Sequence, residues 1–179
     1  MSNPYEQNLA KNPANYQQLT PLTFLSRSAV AAPNHIAIIH GNTRISYAEF
    51  YARCRRLGSA LAMRGIGPGD TVSVMLANSP PMLDAHYGVA MTGAVVHTIN
   101  TRLDAAIVAF QLDHADTKLL IVDRKFSETV RAALALTKVK PIVIDYNDPE
   151  FPQTGTPLSD EDYEAFIAKG DPAFDWRWP

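Results

Sequence analysis

The chain has 179 residues, 46% of them apolar and 19% charged, a balance that excludes disorder and at this length allows burial of roughly 70% of the unfolded surface. A formal net charge of −2 gives no reason to expect nucleic acid or an anionic membrane as partner. Cys54 is the single cysteine, which excludes an internal disulfide and a cysteine-rich zinc site.

Residues 1–20 are polar and lack the apolar core of a secretory signal, so 1–19 reads as a flexible N-terminal arm and the cytoplasm is the expected compartment. No run of about 18 apolar residues occurs, so no membrane span is predicted. Charge then divides the chain. Residues 1–144 carry 14 Lys and Arg against 9 Asp and Glu, whereas 145–179 carry 2 against 9 together with five of the 13 prolines. The shift near Asp145 predicts a compact body over 20–145, followed by an acidic, proline-rich linker with a short helix over 146–179.

Thr20-Pro21 reads as a helix cap with proline at the first helical position, and Leu22, Leu25, Ala29 and Val30 follow at helical spacing until Pro33. Residues 35–40 and 43–45 are two β-rich runs around Gly41-Asn42, which predicts a hairpin. Ser46-Tyr47-Ala48-Glu49 is a capping box. It opens a helix whose apolar stripe is Phe50, Cys54, Leu57 and Leu61, with Arg53, Arg55 and Arg56 on a solvated face. Gly65 ends that helix. Strand 71–76 leads through Asn78-Ser79-Pro80 to a helix carrying Met82, Leu83, His86, Tyr87, Val89 and Ala90, which Gly93 closes. Strand 95–99, helix 104–114, strand 119–122, helix 127–136 and strand 141–144 complete the body. Short apolar strands separated by helices predict an α/β fold: a mainly parallel sheet, buried on both faces, with helices on both sides.

Little of the chemistry-bearing inventory assembles into a site. Residues 65–70 (GIGPGD) follow a helix and open a strand, the reverse of a phosphate-binding glycine loop, so they read as a turn. The five histidines show no metal-ligand spacing, Ser79 reads as a helix cap, and Cys54 lies on the buried stripe. Parallel sheets gather ligands beyond the carboxyl ends of their strands, here Asn78-Ser79, Asn100-Thr101-Arg102, Asp123 and Asp145. Asn100 and Arg102 suit an anionic or polar ligand, but Asn100 and Asp104 equally suit helix capping with Arg102 in solvent. The residues alone leave both readings open.

Several stretches, in order and at the right spacing over residues 20–145, resemble the N-terminal region of the AMP-forming acyl-CoA synthetases, the fatty-acyl branch of the adenylate-forming superfamily. They are ISYAEF (45–50), GIGPGDTV (65–72), LANSP (76–80), GAVVHTINTRL (93–103) and LLIVD (119–123). The stretch from Tyr163 to Pro172 and then Phe174 to Trp178 is similar to the linker that precedes the family's phosphate loop, T-S-G-T-T-G-x-P-K-G. That loop, the ribose-binding acid and the catalytic lysine of the family are not in the sequence.

The resemblance implies a parent ligase that uses ATP, Mg and CoA. A carboxylate attacks the α-phosphate of ATP to give an acyl-adenylate and pyrophosphate, and the thiol of CoA then displaces AMP. It implies that these 179 residues are inactive alone, hold no cofactor themselves, and have the remainder of the synthetase as partner. In some relatives the loop matching Asn100, Thr101 and Arg102 lies near the CoA passage, which implies the same place for these three. An uncovered sheet edge and the unpartnered Trp176 and Trp178 would then lead to self-association, through an edge strand or an apolar helix face, or else to marginal stability. A stand-alone α/β binding module is the alternative.

Overall fold

The computed structural model describes residues 7, 10–12 and 14–176. Much of the expected arm over 1–13, and Trp178 at the other end, therefore lie outside the described residues.

Thr20 caps α1 (Pro21–Ala31), its hydroxyl accepting from the Leu22 N–H at 3.4 Å. Leu22 and Leu25 are buried, whereas Val30 is 83% exposed, so the stripe is narrower than its spacing suggests. β1 (Ile36–His40) and β2 (Thr43–Ser46) pair antiparallel, with His40 opposite Thr43 across Gly41-Asn42. Gly41 takes φ +54°, the left-handed conformation a two-residue hairpin turn requires.

The capping box forms by half. The Ser46 hydroxyl accepts from the Glu49 N–H at 3.3 Å, but the Glu49 carboxylate lies against Arg56. α2 (Tyr47–Met63) then buries Phe50, Cys54, Leu57 and Leu61, as its period predicts. Each such leucine contributes about 1.5–3 kcal/mol through burial.

β3 (Thr71–Met75), β4 (Val95–Thr98), β5 (Thr117–Asp123) and β6 (Ile142–Tyr146) form one parallel sheet in the order β4-β3-β5-β6. One face packs Val72, Val74, Leu119, Ile121 and Ile144 against α2, α3 (Pro80–Gly88) and α6 (Tyr163–Ala168). The other packs Met75, Leu120 and Val122 against α4 (Ala105–His114) and α5 (Ser127–Leu136). α1, the hairpin and the start of α2 share a third cluster with Trp176. The architecture is α/β with helices on both faces. No helix among the described residues is long and apolar enough to cross a membrane.

Four details depart from the sequence reading. β4 is an edge strand with Val95 55% exposed, so burial on both faces belongs to β3 and β5. α3 stops at Gly88, and a 3₁₀ turn over Ala90–Thr92 precedes Gly93. Its buried face is Pro81, Asp84, Ala85 and Gly88, while Leu83 is 42% exposed. A Cβ on Gly88 would stand 2.8 Å from the Cys54 carbonyl; close approach to α2, rather than apolar period, therefore orients α3. Finally, Trp176 is not without partners: it is buried, and its indole N–H donates to the Tyr51 hydroxyl at 2.8 Å.

The acidic stretch after Asp145 is packed as well. Tyr163, Phe166 and Ile167 of α6 enter the core, and the Asp145 N–H donates to the Glu161 carbonyl at 2.9 Å. The composition shift near Asp145 is thus not a packing boundary. Acidic residues carry the chain across the surface, and three apolar side chains at helical spacing anchor it.

Candidate functional site

Because the four strands are parallel, the loops singled out in the sequence share one edge of the sheet. That edge has two unlike halves. At the β5–β6 half every acid is already engaged. The Asp145 carboxylate receives the Arg124 guanidinium at 2.6 and 3.0 Å through one oxygen and the Leu158 N–H through the other. Asp123 accepts from the Lys125 N–H. Burial raises its pKa, opposed by backbone hydrogen bonds from Lys125 and Ala77. Asp148 receives His40 at 2.7 Å, and Glu150 receives the Asn42 N–H and the Thr43 hydroxyl, tying the hairpin to the loop after β6. Those two bonds hold the Glu150 pKa below the usual carboxylate range.

At the β3–β4 half the groups are less committed. A cavity of about 200 Å³ opens between Ile38, Ile39 and His40 of the hairpin and residues 78–83 at the start of α3. It is not an anion site. Pro80 and Pro81 fill the first two helical positions and have no N–H, and the Met82 N–H is bonded to the Ser79 carbonyl at 3.0 Å. Ser79 holds the cap position without capping; its hydroxyl donates to the Ala77 carbonyl instead.

Asn100 uses its side-chain oxygen to accept the Arg102 N–H at 3.0 Å, closing a turn, and Asp104 caps α4 by accepting the Ile107 N–H at 2.9 Å. Arg102 is exposed at the end of β4. Of the three residues the resemblance associates with CoA, only Arg102 presents a free charged group. The structure keeps Asn100, Thr101 and Arg102 together on one loop, with β3 separating β4 from the acidic half.

The glycines at 65–70 form a turn: the Asp70 N–H reaches the Gly67 carbonyl, its carboxylate takes the Gly67 N–H, and Gly65 and Gly69 have positive φ. No donor set here fits the phosphates of ATP. Among the described residues no three His, Cys, Asp or Glu side chains converge as metal ligands.

One buried constellation escaped the sequence reading. Arg53 is not solvated: its guanidinium meets Asp84 at 2.8 and 3.0 Å and Glu164 at 2.7 and 2.8 Å, and the Tyr163 hydroxyl donates to Asp84 at 3.0 Å. Asp84 is fully buried, one of its oxygens has no partner, and burial pushes its pKa up to about 6 against the pull of Arg53. At Arg53 burial is again the largest effect, but the bonds to Glu164 and the charges of both acids outweigh it, so its pKa lies above the ordinary value. Burial raises the Cys54 thiol next door, as suits an inert core residue. A signal was available: Arg53 lies three residues after Phe50 and four before Leu57, on the buried stripe, and Asp84 sits among the small residues of α3. Arg55 is also engaged, donating to the Phe174 carbonyl at 2.9 Å.

Residues 25–174 match the AMP-binding enzyme family. The chain belongs to that family. It is 42% identical to a peroxisomal acetate/butyrate–CoA ligase of Arabidopsis thaliana over 96% of its length, and 38% identical to an acetate–CoA ligase of Humulus lupulus over 96%. A peroxisomal benzoate–CoA ligase of Arabidopsis thaliana is 40% identical over 92%. The chain spans 32% of the first two relatives and 29% of the third. Among solved structures it is similar to the anthranilate CoA ligase AuaEII in complex with anthranoyl-AMP, with TM-score 0.80 at 16% identity, covering 94% of this chain and 32% of that one. A benzoate CoA ligase of Burkholderia xenovorans gives TM-score 0.75 at 23% identity, covering 90% of this chain and 31% of that one. At such identities these two speak for the fold.

Proposed function

We propose that these residues are the N-terminal α/β part of an AMP-forming ligase that joins a small carboxylic acid, aliphatic or aryl, to CoA through an acyl-adenylate. The identity of 42% to an acetate/butyrate–CoA ligase over 96% of the chain carries this reading. ATP, Mg and CoA are the proposed cofactors of the whole enzyme. The first transition state concentrates negative charge on phosphoryl oxygens and needs a phosphate loop, a metal ion and a cation. This part contributes the sheet and its helices, with the rest of the ligase as partner and, at the end of β4, Arg102 as a positive group for the phosphates of incoming CoA. The compartment is proposed as the cytoplasm; two of the relatives are peroxisomal by name, and a fluorescent fusion would separate the two.

The test is ATP–pyrophosphate exchange with acetate, butyrate and benzoate. The full-length product of the reading frame should exchange with at least one acid, and the 179-residue chain with none. Exchange by the isolated chain, or none by the full-length product with any acid, overturns the reading. In the full-length enzyme Arg102→Ala should raise the KM for CoA about tenfold, as expected for loss of roughly 1.4 kcal/mol of charge-assisted bonding. The KM for ATP should not change.

A further inference from the structure

Residues 161–176 return across α2, and arginines of α2 receive them. Arg64 donates to both carboxylate oxygens of Glu161 at 2.7 Å, Arg53 to both of Glu164 at 2.7 and 2.8 Å, and Arg55 to the Phe174 carbonyl at 2.9 Å. Between these points Gly170 lies so close that a Cβ there would stand 2.0 Å from the Arg56 carbonyl. Beneath, Tyr163, Phe166 and Ile167 are buried, and Trp176 ends the run on the Tyr51 hydroxyl. The pair of Arg64 with Glu161 is partly exposed, and such surface pairs contribute little. The junction at Arg53 differs, because one of its two acids is shut off from water.

Glu164 is half exposed, but Asp84 is fully buried. One Asp84 oxygen accepts two bonds from Arg53 and one from the Tyr163 hydroxyl; the other is buried with no partner. The ionisable groups around it are Arg53 and Cys54 from α2 and Tyr163 and Glu164 from α6. Burial keeps the Cys54 thiol and the Tyr163 phenol neutral, and does the same for Tyr146 of β6, which stands edge-on to Tyr163 at 5.9 Å. On α3 itself, His86 is exposed and bonded to the Met82 carbonyl at 2.7 Å. With both acids ionised, two negative charges therefore face the one positive charge of Arg53. A proton on Asp84 leaves Arg53 and Glu164 as a matched pair with no buried charge in excess. Lifting α6 takes Tyr163 and Glu164 away and lets water reach Asp84, so the closed arrangement needs that proton and the open one does not.

We propose that residues 161–176 form a proton-linked strap: they close over Asp84 with a proton held at the Arg53–Asp84–Glu164 junction, and open more readily once it leaves. Burial pushes the Asp84 pKa up to about 6 from 3.8, against the pull of Arg53. A group raised in the closed state stabilises that state fully below about pH 4 and loses the contribution as pH rises through 6. The strap loosens toward neutral pH.

Native-state amide hydrogen exchange of the 179-residue chain, corrected for intrinsic rates, reads this opening. The Phe166 and Gly170 amides are bonded to the Asp162 and Ile167 carbonyls. Their opening constant should rise about tenfold between pH 5 and 7, the factor that a pKa moved from 3.8 to about 6 gives by linkage. Their opening should also have a smaller urea slope than that of the Val74 amide in β3, as release of the strap short of global unfolding requires. In Asp84→Asn the α6 constant should be flat over this range. Glu164→Gln, at a half-exposed position, leaves Arg53 to Asp84 alone and should move the rise to lower pH. A pH-independent constant in the wild type, or a rise that survives in Asp84→Asn, overturns the proposal. One urea slope and one free energy shared by α6 and β3 would mean that the strap opens only with the whole fold, which overturns it as well.

Discussion

β6 and β4 bound the same sheet and are built from similar residues, yet one is sealed and the other bare. Ile144 and Tyr146 of β6 are buried, and α6 lays Tyr163, Phe166 and Ile167 over them. β4 leaves Val95 55% exposed, with β3 its one neighbour among the described strands. The strands do not make this difference. What makes it is the chain after β6, which folds back and locks through Arg53, Asp84 and Glu164, while among the described strands β4 pairs with β3 and no other. An edge is protected by its neighbours in space, and composition alone hides which edge has them.

The largest test of the contrast is to empty one side and trim the other. Phe166→Ala, at a position 1% exposed under β6, should cost about 3–5 kcal/mol in urea unfolding. Phe110→Ser, at a position 66% exposed on α4, should stay within about 0.5 kcal/mol. Equal losses at the two positions would mean that α4 is covered in the isolated chain too.

The lock itself should respond nearly as strongly. At neutral pH Arg53→Met leaves the Asp84 charge buried beside Glu164 without its cation, which should cost about 3–5 kcal/mol in the same measurement. Its pH dependence has a definite sign. With its folded pKa raised to about 6 from 3.8, Asp84 holds in the folded state a proton that the unfolded chain has already shed. Its contribution is therefore fully present below about pH 4 and is lost as pH rises through 6. Wild type minus Asp84→Asn should accordingly fall by roughly 2 kcal/mol between pH 4 and 7. Taking the difference removes the opposite trend of Glu161, whose pKa is held low by Lys169 first and then Arg64. A flat difference would show that Asp84 is not desolvated.

A smaller loss than at Phe166 or Arg53 is expected beyond β4. Asp104→Ala removes the cap of α4 and should cost about 1 kcal/mol, read as a drop in the thermal midpoint. No change would mean that the loop of Asn100–Arg102 holds the helix start without it.

Much of this was legible along the chain. Thr20-Pro21, Gly41-Asn42, the Phe50–Leu61 stripe and the alternation of strands with helices are local signals, each set by backbone sterics, caps or period, and the structure keeps all of them. Cys54 was readable as core for the same reason. The candidate site was less so. The positions of Asn100 and Arg102 at a strand end followed from the parallel order, but the turn that occupies Asn100 depends on how that loop bends. The Asp84 junction brings together residues 31 and 111 apart in sequence, and no local pattern encodes such a pairing.

By itself, then, the order of residues determined the elements, the α/β class and the family, because those depend on short-range backbone preferences and on periods repeated over a few turns. Which arginine is buried, which edge of the sheet is closed and which way α3 turns were decided only in three dimensions. Gly88 against Cys54, Arg53 against Asp84 and Asp145 against Glu161 are contacts between segments far apart in the chain, where close packing and the cost of burying a charge, rather than local propensity, select the arrangement.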